Sequence, residues 1–217
     1  MMGKFFNKVI IRAKNINRWE GMERATMNSD AEHMWSVSVI CDQLGRIQED
    51  VYNEKVDFLI LLRRALYHDV IEVETGDILS SVKRTTPEMK ECLSVIEKVR
   101  FEQGIKPLIS KKYREELETY ILNPKDDLKS IEGRILAVAD KVDTLIESIR
   151  EVKKGNTNFL PFLQSESEAI LDLGVGCGLY FIKYSLADFG ISLDKFGLRV
   201  MKFIELYDIK SSIPEIE

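Results

Sequence analysis

Apolar residues recur at the three- and four-residue spacing of an amphipathic helix along almost the whole chain. Proline and glycine are sparse, with 5 and 12 among 217 residues, and no segment alternates apolar and polar residues as a half-buried strand would. The sequence therefore predicts an all-α fold. The 45% apolar content suffices for one sizeable core, so we predict a single domain over residues 1–217, with its core at about 5–197 and a C-terminal helix or tail at 198–217.

Capping signals and apolar stripes locate the main helices. Ser29 followed by Glu32 has the pattern of a capping box, which predicts a helix whose inner face carries His33. Further helices are expected at about 56–73 and 128–154, with one or two surface helices between 87 and 123 and a short helix beyond Phe196. The residues expected to face inward from the 56–73 helix are Leu61, Leu62, Ala65 and Leu66.

Charge and cysteine content exclude several classes of protein. A formal net charge of −5 argues against sequence-independent binding of nucleic acid, which needs a basic face. Three cysteines without CxxC spacing suggest neither a disulfide framework nor a zinc ribbon. No apolar run is long enough for a signal peptide or a membrane span, so we expect a cytoplasmic protein that binds neither membrane nor nucleic acid.

The chain's only two histidines fall among carboxylates on predicted core-facing helix surfaces. His33 lies on the first such helix, His68 and Asp69 lie on the second, and Asp140 lies on the 128–154 helix. Burying such groups is costly unless they pair or bind a metal. Two imidazoles and two carboxylates suit a divalent ion such as Mn, Fe, Co, Ni or Zn.

The ordered pattern H…HD…D resembles that of the HD-domain metal-dependent phosphohydrolases, and most closely the bacterial 5′-deoxynucleotidases. Further matching segments extend this resemblance over roughly residues 5–197. These segments are Arg18-Trp19, AEH at 31–33, YHDVIEVETGD at 67–77, ADKVDTL at 139–145, KKGNTNFL at 153–160 and SLDK at 192–195. The resemblance implies a helical bundle and hydrolysis of deoxyribonucleoside 5′-monophosphates. It also suggests a homodimer.

The resemblance assigns roles to residues of this chain. It implies one divalent metal ion held by His33, His68, Asp69 and Asp140. The catalytic residues around the attacking water would be Glu72 and Asp77. The substrate would be bound by Arg18 at the phosphate and Trp19 at the sugar, with Asp77 and Lys83 nearby.

Several of these residues could instead have ordinary structural roles. Asp77 could cap a helix starting at Ile78, and Glu72 and Lys83 could be solvated surface residues. Trp19 could be a core aromatic, and for Trp35 the core is the preferred prediction. Asp143, one turn after Asp140, is a rival fourth ligand.

Neighbouring helix positions diverge by about 100°, so His68 and Asp69 share a metal only if it lies between their directions near the helix end.

Two other enzyme classes are disfavoured by the sequence. LDLGVGCG at residues 171–178 superficially matches the glycine-rich motif of S-adenosylmethionine methyltransferases, but the residues after Gly178 have helical periodicity rather than an α/β sheet pattern. The segment HDVIEV ends in Val73, whereas the pattern HDxxED, which is similar to that of the guanosine-tetraphosphate hydrolases, ends in an aspartate. A hydrolase of another nucleotide, or a non-catalytic nucleotide-binding regulator, remains the alternative.

Overall fold

The computed structural model describes residues 2–83 and 85–208, and within them the backbone is helical with no β-strand. An isolated antiparallel bridge pairs Asn17 with Ser29. The α-helices are α1 (Met2–Phe5), α2 (Ile11–Asn15), α3 (Asp30–Tyr52), α4 (Phe58–Tyr67), α5 (Glu72–Thr75), α6 (Ser80–Lys83), α7 (Pro87–Arg100), α8 (Arg114–Leu122), α9 (Ile131–Lys153), α10 (Leu160–Leu173), α11 (Gly176–Tyr180) and α12 (Leu198–Leu206). None of the described helices is long and apolar enough to cross a bilayer. The predicted all-α class is confirmed.

The chain divides into two compact units. Unit one comprises the residues up to Ser36 together with Arg63–Asp127, and unit two comprises Val37–Leu62 and the residues from Leu128 onward. The expectation of a single domain stays a prediction.

Unit one has its own apolar core, built from one face of several short helices. The fully buried side chains at its centre include Phe101, Ile105 and Val9. Val70, Ile71 and Val73 join this core from the chain that comes after α4. The apolar residues of the HDVIEV segment therefore anchor that segment to the core.

Unit two is organised around the long helix α9, which packs along α10. Ser130 accepts a hydrogen bond from Gly133 N–H at the start of α9, and Gly155, at φ 93°, comes just after its end. Its buried residues include Ile135, Leu136, Leu145 and Ile149. The predicted 128–154 helix is confirmed.

The glycines of LDLGVGCG serve helix termination and packing. Gly174 ends α10 in the left-handed region at φ 61°. A Cβ added at Gly176 would lie 2.6 Å from the Tyr52 ring, and one at Gly178 would lie 3.0 Å from Val138 Cγ1. These glycines permit close contact between helices, as expected for a sequence that only superficially matches a methyltransferase.

The structure corrects three details of the sequence prediction. The second predicted helix is shorter than 56–73, because α4 ends at Tyr67 and a turn precedes α5. Leu66 is 51% exposed rather than inward-facing, although Leu61 and Ala65 are fully buried. Trp35, predicted to be core, is 68% exposed. For Leu66, helical periodicity identified the buried stripe but placed its edge one position too far.

Candidate metal centre

His68 and Asp69 lie in the turn directly after α4, rather than inside a helix. Val70 N–H bonds to Tyr67 O and Glu72 N–H bonds to Asp69 O, and these three-residue steps tighten the chain. The 100° divergence of neighbouring helical residues therefore does not apply here. The turn lets the two side chains converge.

His33 completes this convergence from the start of α3. The capping box is present: Ser29 Oγ accepts from Glu32 N–H at 3.3 Å, and Glu32 Oε2 accepts from Ser29 N–H at 2.7 Å. This fixes where α3 begins and hence which residues of its first turns face the core of unit one. His33 is 1% exposed as a result.

Three potential ligand atoms form a nearly equilateral triangle in unit one. His33 Nε2 is 3.1 Å from His68 Nε2 and 3.3 Å from Asp69 Oδ2, and His68 Nε2 is 3.2 Å from Asp69 Oδ2. Ligands about 2.1 Å from one ion are separated by about 3.0 Å at a right angle and about 3.4 Å at the tetrahedral angle. The triangle thus has the dimensions of three ligands on one divalent metal ion.

The backbone orients the His68 ring for metal binding. His68 Nδ1 lies 2.8 Å from Ala65 O, a carbonyl that can only accept a hydrogen bond. The proton of the neutral ring is therefore on Nδ1, which leaves the lone pair of Nε2 directed at His33 and Asp69. Such a hydrogen bond on the far nitrogen is typical of metal-ligating histidines.

Asp69 is favoured as a carboxylate by its two histidine neighbours. Desolvation alone would raise the pKa of Asp69, but the charge and hydrogen bonds of His68 and His33, when these rings are protonated, outweigh it and hold that pKa well below its usual range. Arg18 adds a further positive charge, with its Nη1 3.7 Å from Asp69 Oδ2. The group is therefore in the charged form that a metal requires.

Arg18 and Trp19 are held beside this cluster by the chain that pairs with the start of α3. Arg18 N–H donates to Asn28 O at 3.0 Å. Trp19 adopts φ 61°, an uncommon left-handed backbone for a bulky residue, and its N–H donates to Asp77 Oδ2 at 3.0 Å. The predicted substrate residues Arg18, Trp19 and Asp77 are thus brought together. The capping hypothesis for Asp77 loses its basis, because α6 begins at Ser80 rather than Ile78.

Glu72 and Lys83 form an ion pair in the same unit. Lys83 Nζ donates to Glu72 Oε1 at 2.8 Å, and Glu72 Oε2 is buried with no hydrogen-bond partner among the described residues. Burial, reinforced by the charge of Asp69, raises the pKa of Glu72 well above its usual range. Desolvation opposes ionisation of Lys83, but the Glu72 carboxylate outweighs it and raises the pKa of Lys83 to about 12. Neither residue is an ordinary solvated side chain.

Asp140, the fourth predicted ligand, is half-buried on α9 in unit two, and its rival Asp143 is buried on the same helix. The place of Asp140 in the ligand set stays a prediction from the sequence.

Unit one also buries the side chains of two acids that the sequence reasoning missed. Asp30 is 1% exposed and lies three residues before His33, so helical spacing from His33 could have identified it. Glu74 has a side chain that is 1% exposed and that pairs with Lys8, Arg12 and Arg100. No local sequence signal indicated this second cluster, because its cations come from distant helices.

Comparison with known proteins identifies the family. The family model described as 5′-deoxynucleotidase YfbR-like matches residues 4–189. The chain belongs to the YfbR-like 5′-deoxynucleotidase family. It is 26% identical to 5′-deoxynucleotidase Ent638_2835 of Enterobacter sp. over 185 residues, or 85% of this chain and 91% of the relative. It is 25% identical to 5′-deoxynucleotidase YfbR of Escherichia coli K12, with the same coverage of both chains.

Solved structures agree with the family assignment. An HD-domain phosphohydrolase from Listeria innocua matches with a TM-score of 0.80 and 28% identity, covering 94% of this chain and 96% of that one. A cyanophage S-2L HD phosphohydrolase, described as bound to dA and one catalytic Zn²⁺ ion, shares the fold at a TM-score of 0.52 and 19% identity, covering 90% of this chain and 94% of that one. The sequence-based predictions of an HD-domain fold, a hydrolase and a 5′-deoxynucleotidase are confirmed.

Proposed function

We propose that this member of the YfbR-like family hydrolyses deoxyribonucleoside 5′-monophosphates at the His33, His68 and Asp69 cluster of unit one. The observation that supports this most directly is the triangle of ligand atoms, with sides of 3.1, 3.2 and 3.3 Å. Asp140 is proposed as the fourth ligand. The product would be a deoxyribonucleoside and inorganic phosphate.

The donor set of two imidazoles and a carboxylate fits a divalent transition metal, such as Co, Mn, Ni, Fe or Zn. When bound, such an ion polarises a phosphate oxygen and lowers the pKa of a water molecule. The Zn²⁺ of the cyanophage relative is in keeping with this choice of metals.

Glu72 is proposed to accept the proton of the attacking water. Its Oε1 is already bonded to Lys83, whereas Oε2 is buried without a partner among the described residues, which leaves an acceptor for water. The raised pKa of Glu72 brings it closer to the range of an effective general base. Asp77 stays a candidate for the same step, and its bond to Trp19 N–H also supports a role in shaping the sugar site.

Arg18 is proposed to bind the phosphate. Its guanidinium side chain is 11% exposed and lies beside Asp69, and its fork of donors matches the oxygens of a phosphate group. Trp19 would lie against the deoxyribose. Lys83, with its side chain 34% exposed, would add positive charge to the phosphate site while its Nζ orients Glu72.

The test is phosphate release from nucleoside mono-, di- and triphosphates, in ribo and deoxy forms, after chelation and addition of single metals. We expect deoxyribonucleoside monophosphates to be preferred, activity to require a transition metal, and His68→Ala to be inactive. Asp140→Ala should lose metal, whereas Asp143→Ala, one turn away, should retain it. Full activity in metal-free protein would overturn the proposal, and metal binding without phosphate release would favour a regulator.

The protein is also proposed to be a cytoplasmic homodimer. Cys41, Cys92 and Cys177 form no disulfide bond among the described residues, which is in keeping with a reducing compartment. Trp35 and Val39 lie one helical turn apart on α3 and are 68% and 46% exposed, a pair of apolar side chains that a second copy could cover. Light scattering of the wild type and of Trp35→Glu tests this: we expect a dimer that the variant weakens.

A further inference from the structure

Asp30 is a buried carboxyl group in unit one that neither the fold nor the proposed mechanism explains. It is the first residue of α3 and is 1% exposed. Both of its carboxylate oxygens are buried, and neither has a hydrogen-bond partner among the described residues. Leaving a carboxylate in this state costs on the order of several kcal/mol, so some compensating contact is expected.

A helix-capping role does not explain Asp30. Acids in the first turn of a helix usually accept hydrogen bonds from its free N–H groups or face solvent near the helix end. Here Ser29 already accepts from Glu32 N–H, and the Asp30 oxygens are neither bonded to an N–H group of the described chain nor exposed.

The backbone directs Asp30 towards the candidate metal centre. Asp30 lies three residues before His33 and therefore on the same side of α3. Its N–H donates to Ile16 O at 3.1 Å, next to the Arg18 N–H bond to Asn28 O, and this pairing places it beside the Arg18 segment. The charged groups around it are those of the site: burial, then Asp69 and Asp77, raise the pKa of Asp30 to about 7, while Arg18 and His33 oppose that rise.

The chemistry of the site limits what the partner of Asp30 can be. The phosphate of a substrate has acceptor oxygens and negative charge, so a carboxylate cannot serve it. Water bound to a divalent ion offers strongly polarised O–H donors and is small enough for a buried position. Carboxylates placed just outside a metal's own ligands commonly accept such bonds.

We infer that Asp30 is an outer acceptor of the metal centre, bonded to a water molecule that the divalent ion holds. It acts beside Glu72 Oε2, the other buried carboxylate oxygen of the site without a hydrogen-bond partner among the described residues. Two acceptors on the metal-held water would fix its orientation, which one acceptor alone cannot do. This inference rests on the metal site of the proposed function.

The experiment is a Co²⁺ titration of metal-free protein against a competing chelator at pH 8, with wild type, Asp30→Asn and Thr86→Ala. Asp30→Asn keeps the size of the side chain but replaces an acceptor oxygen by a donor. Loss of an outer-shell partner commonly weakens metal binding about 10- to 100-fold, and we expect that loss for Asp30→Asn. Thr86→Ala, which removes the N-cap of α7, should bind Co²⁺ within about twofold of wild type while melting at a lower temperature.

Thermal melting of the metal-free proteins gives a second readout. Asp30→Asn should melt no lower than wild type, because it removes a buried charge without a partner. Asp30→Ala is the second variant if the first does not fold. Co²⁺ affinity of Asp30→Asn equal to that of wild type would overturn the inference. If wild type itself binds Co²⁺ no better than His68→Ala, the proposed metal site fails instead, and the two failures are distinguishable.

Discussion

Lys83 Nζ lies 2.8 Å from Glu72 Oε1, and this contact leaves Oε2 as the Glu72 oxygen that can accept a proton from water. Burial makes the Glu72 carboxyl group hard to ionise, and the positive charge of Lys83 opposes this effect. The position of Lys83 therefore affects the protonation of Glu72.

Replacing Lys83 should shift the pH dependence of hydrolysis. Burial and Asp69 raise the pKa of Glu72, while Lys83 lowers it, so Lys83→Met should raise that pKa further. A general base is active when deprotonated, and the acid limb of the kcat/KM profile should move to higher pH. Lys90→Met, at an exposed position of α7, is the matched control and should leave the limb in place. An acid limb unchanged in Lys83→Met would show that Glu72 is not the base.

Trp19 should set the preference for deoxyribose. Its backbone at φ 61° and its N–H bond to Asp77 fix the segment that carries the indole, which we propose to lie against the deoxyribose. A ribonucleotide would have to displace the indole or bury its 2′-hydroxyl without a partner, which costs about 1–3 kcal/mol, or about 5- to 150-fold in kcat/KM. We expect Trp19→Ala to narrow the ratio of kcat/KM for dAMP over AMP. Tyr113→Ala, at an exposed aromatic residue, is the control. Equal ratios in all three proteins would mean that Trp19 has only a structural role.

Glu74 should contribute to the stability of unit one. Its carboxylate is buried between Lys8, Arg12 and Arg100, whose own side chains are 37–51% exposed. Because solvent screens these cations, we expect Glu74→Gln to lower the free energy of unfolding by about 1–2 kcal/mol, measured by urea denaturation. Glu91→Gln, at an exposed site on α7, should change it by less than about 0.5 kcal/mol. Equal stability of the two variants would mean that the cluster contributes nothing.

The glycine-rich segment should prove structural when tested by substitution. A methyl group at Gly176 would meet the Tyr52 ring at 2.6 Å, so Gly176→Ala should destabilise the protein by about 1–3 kcal/mol. Calorimetry with S-adenosylmethionine should detect no binding to the wild type. Micromolar binding of that cofactor would contradict the packing role.

Much of the site could be predicted from the sequence because its chemistry depends on rare residues in a fixed order. Two histidines, each beside or near an acid, stood at the expected places, and the capping box of Ser29 and Glu32 located the start of α3. Periodicity also gave the all-α class, since each apolar stripe is a local property of its helix. None of this required knowledge of distant contacts.

Only the tertiary structure decided how these residues meet. Helical periodicity extended α4 through His68 and Asp69, whereas the packing of Val70, Ile71 and Val73 into the core of unit one favours a turn. The turn makes the two side chains converge. The burial of Asp30 without a partner among the described residues, and of Glu74 among three cations, depends on chain segments far apart in sequence. The sequence by itself determined the candidate ligand residues and the helical class, because these depend on residue identity and local spacing. The structure decided the directions and pairings of the side chains, because these depend on how separate helices pack.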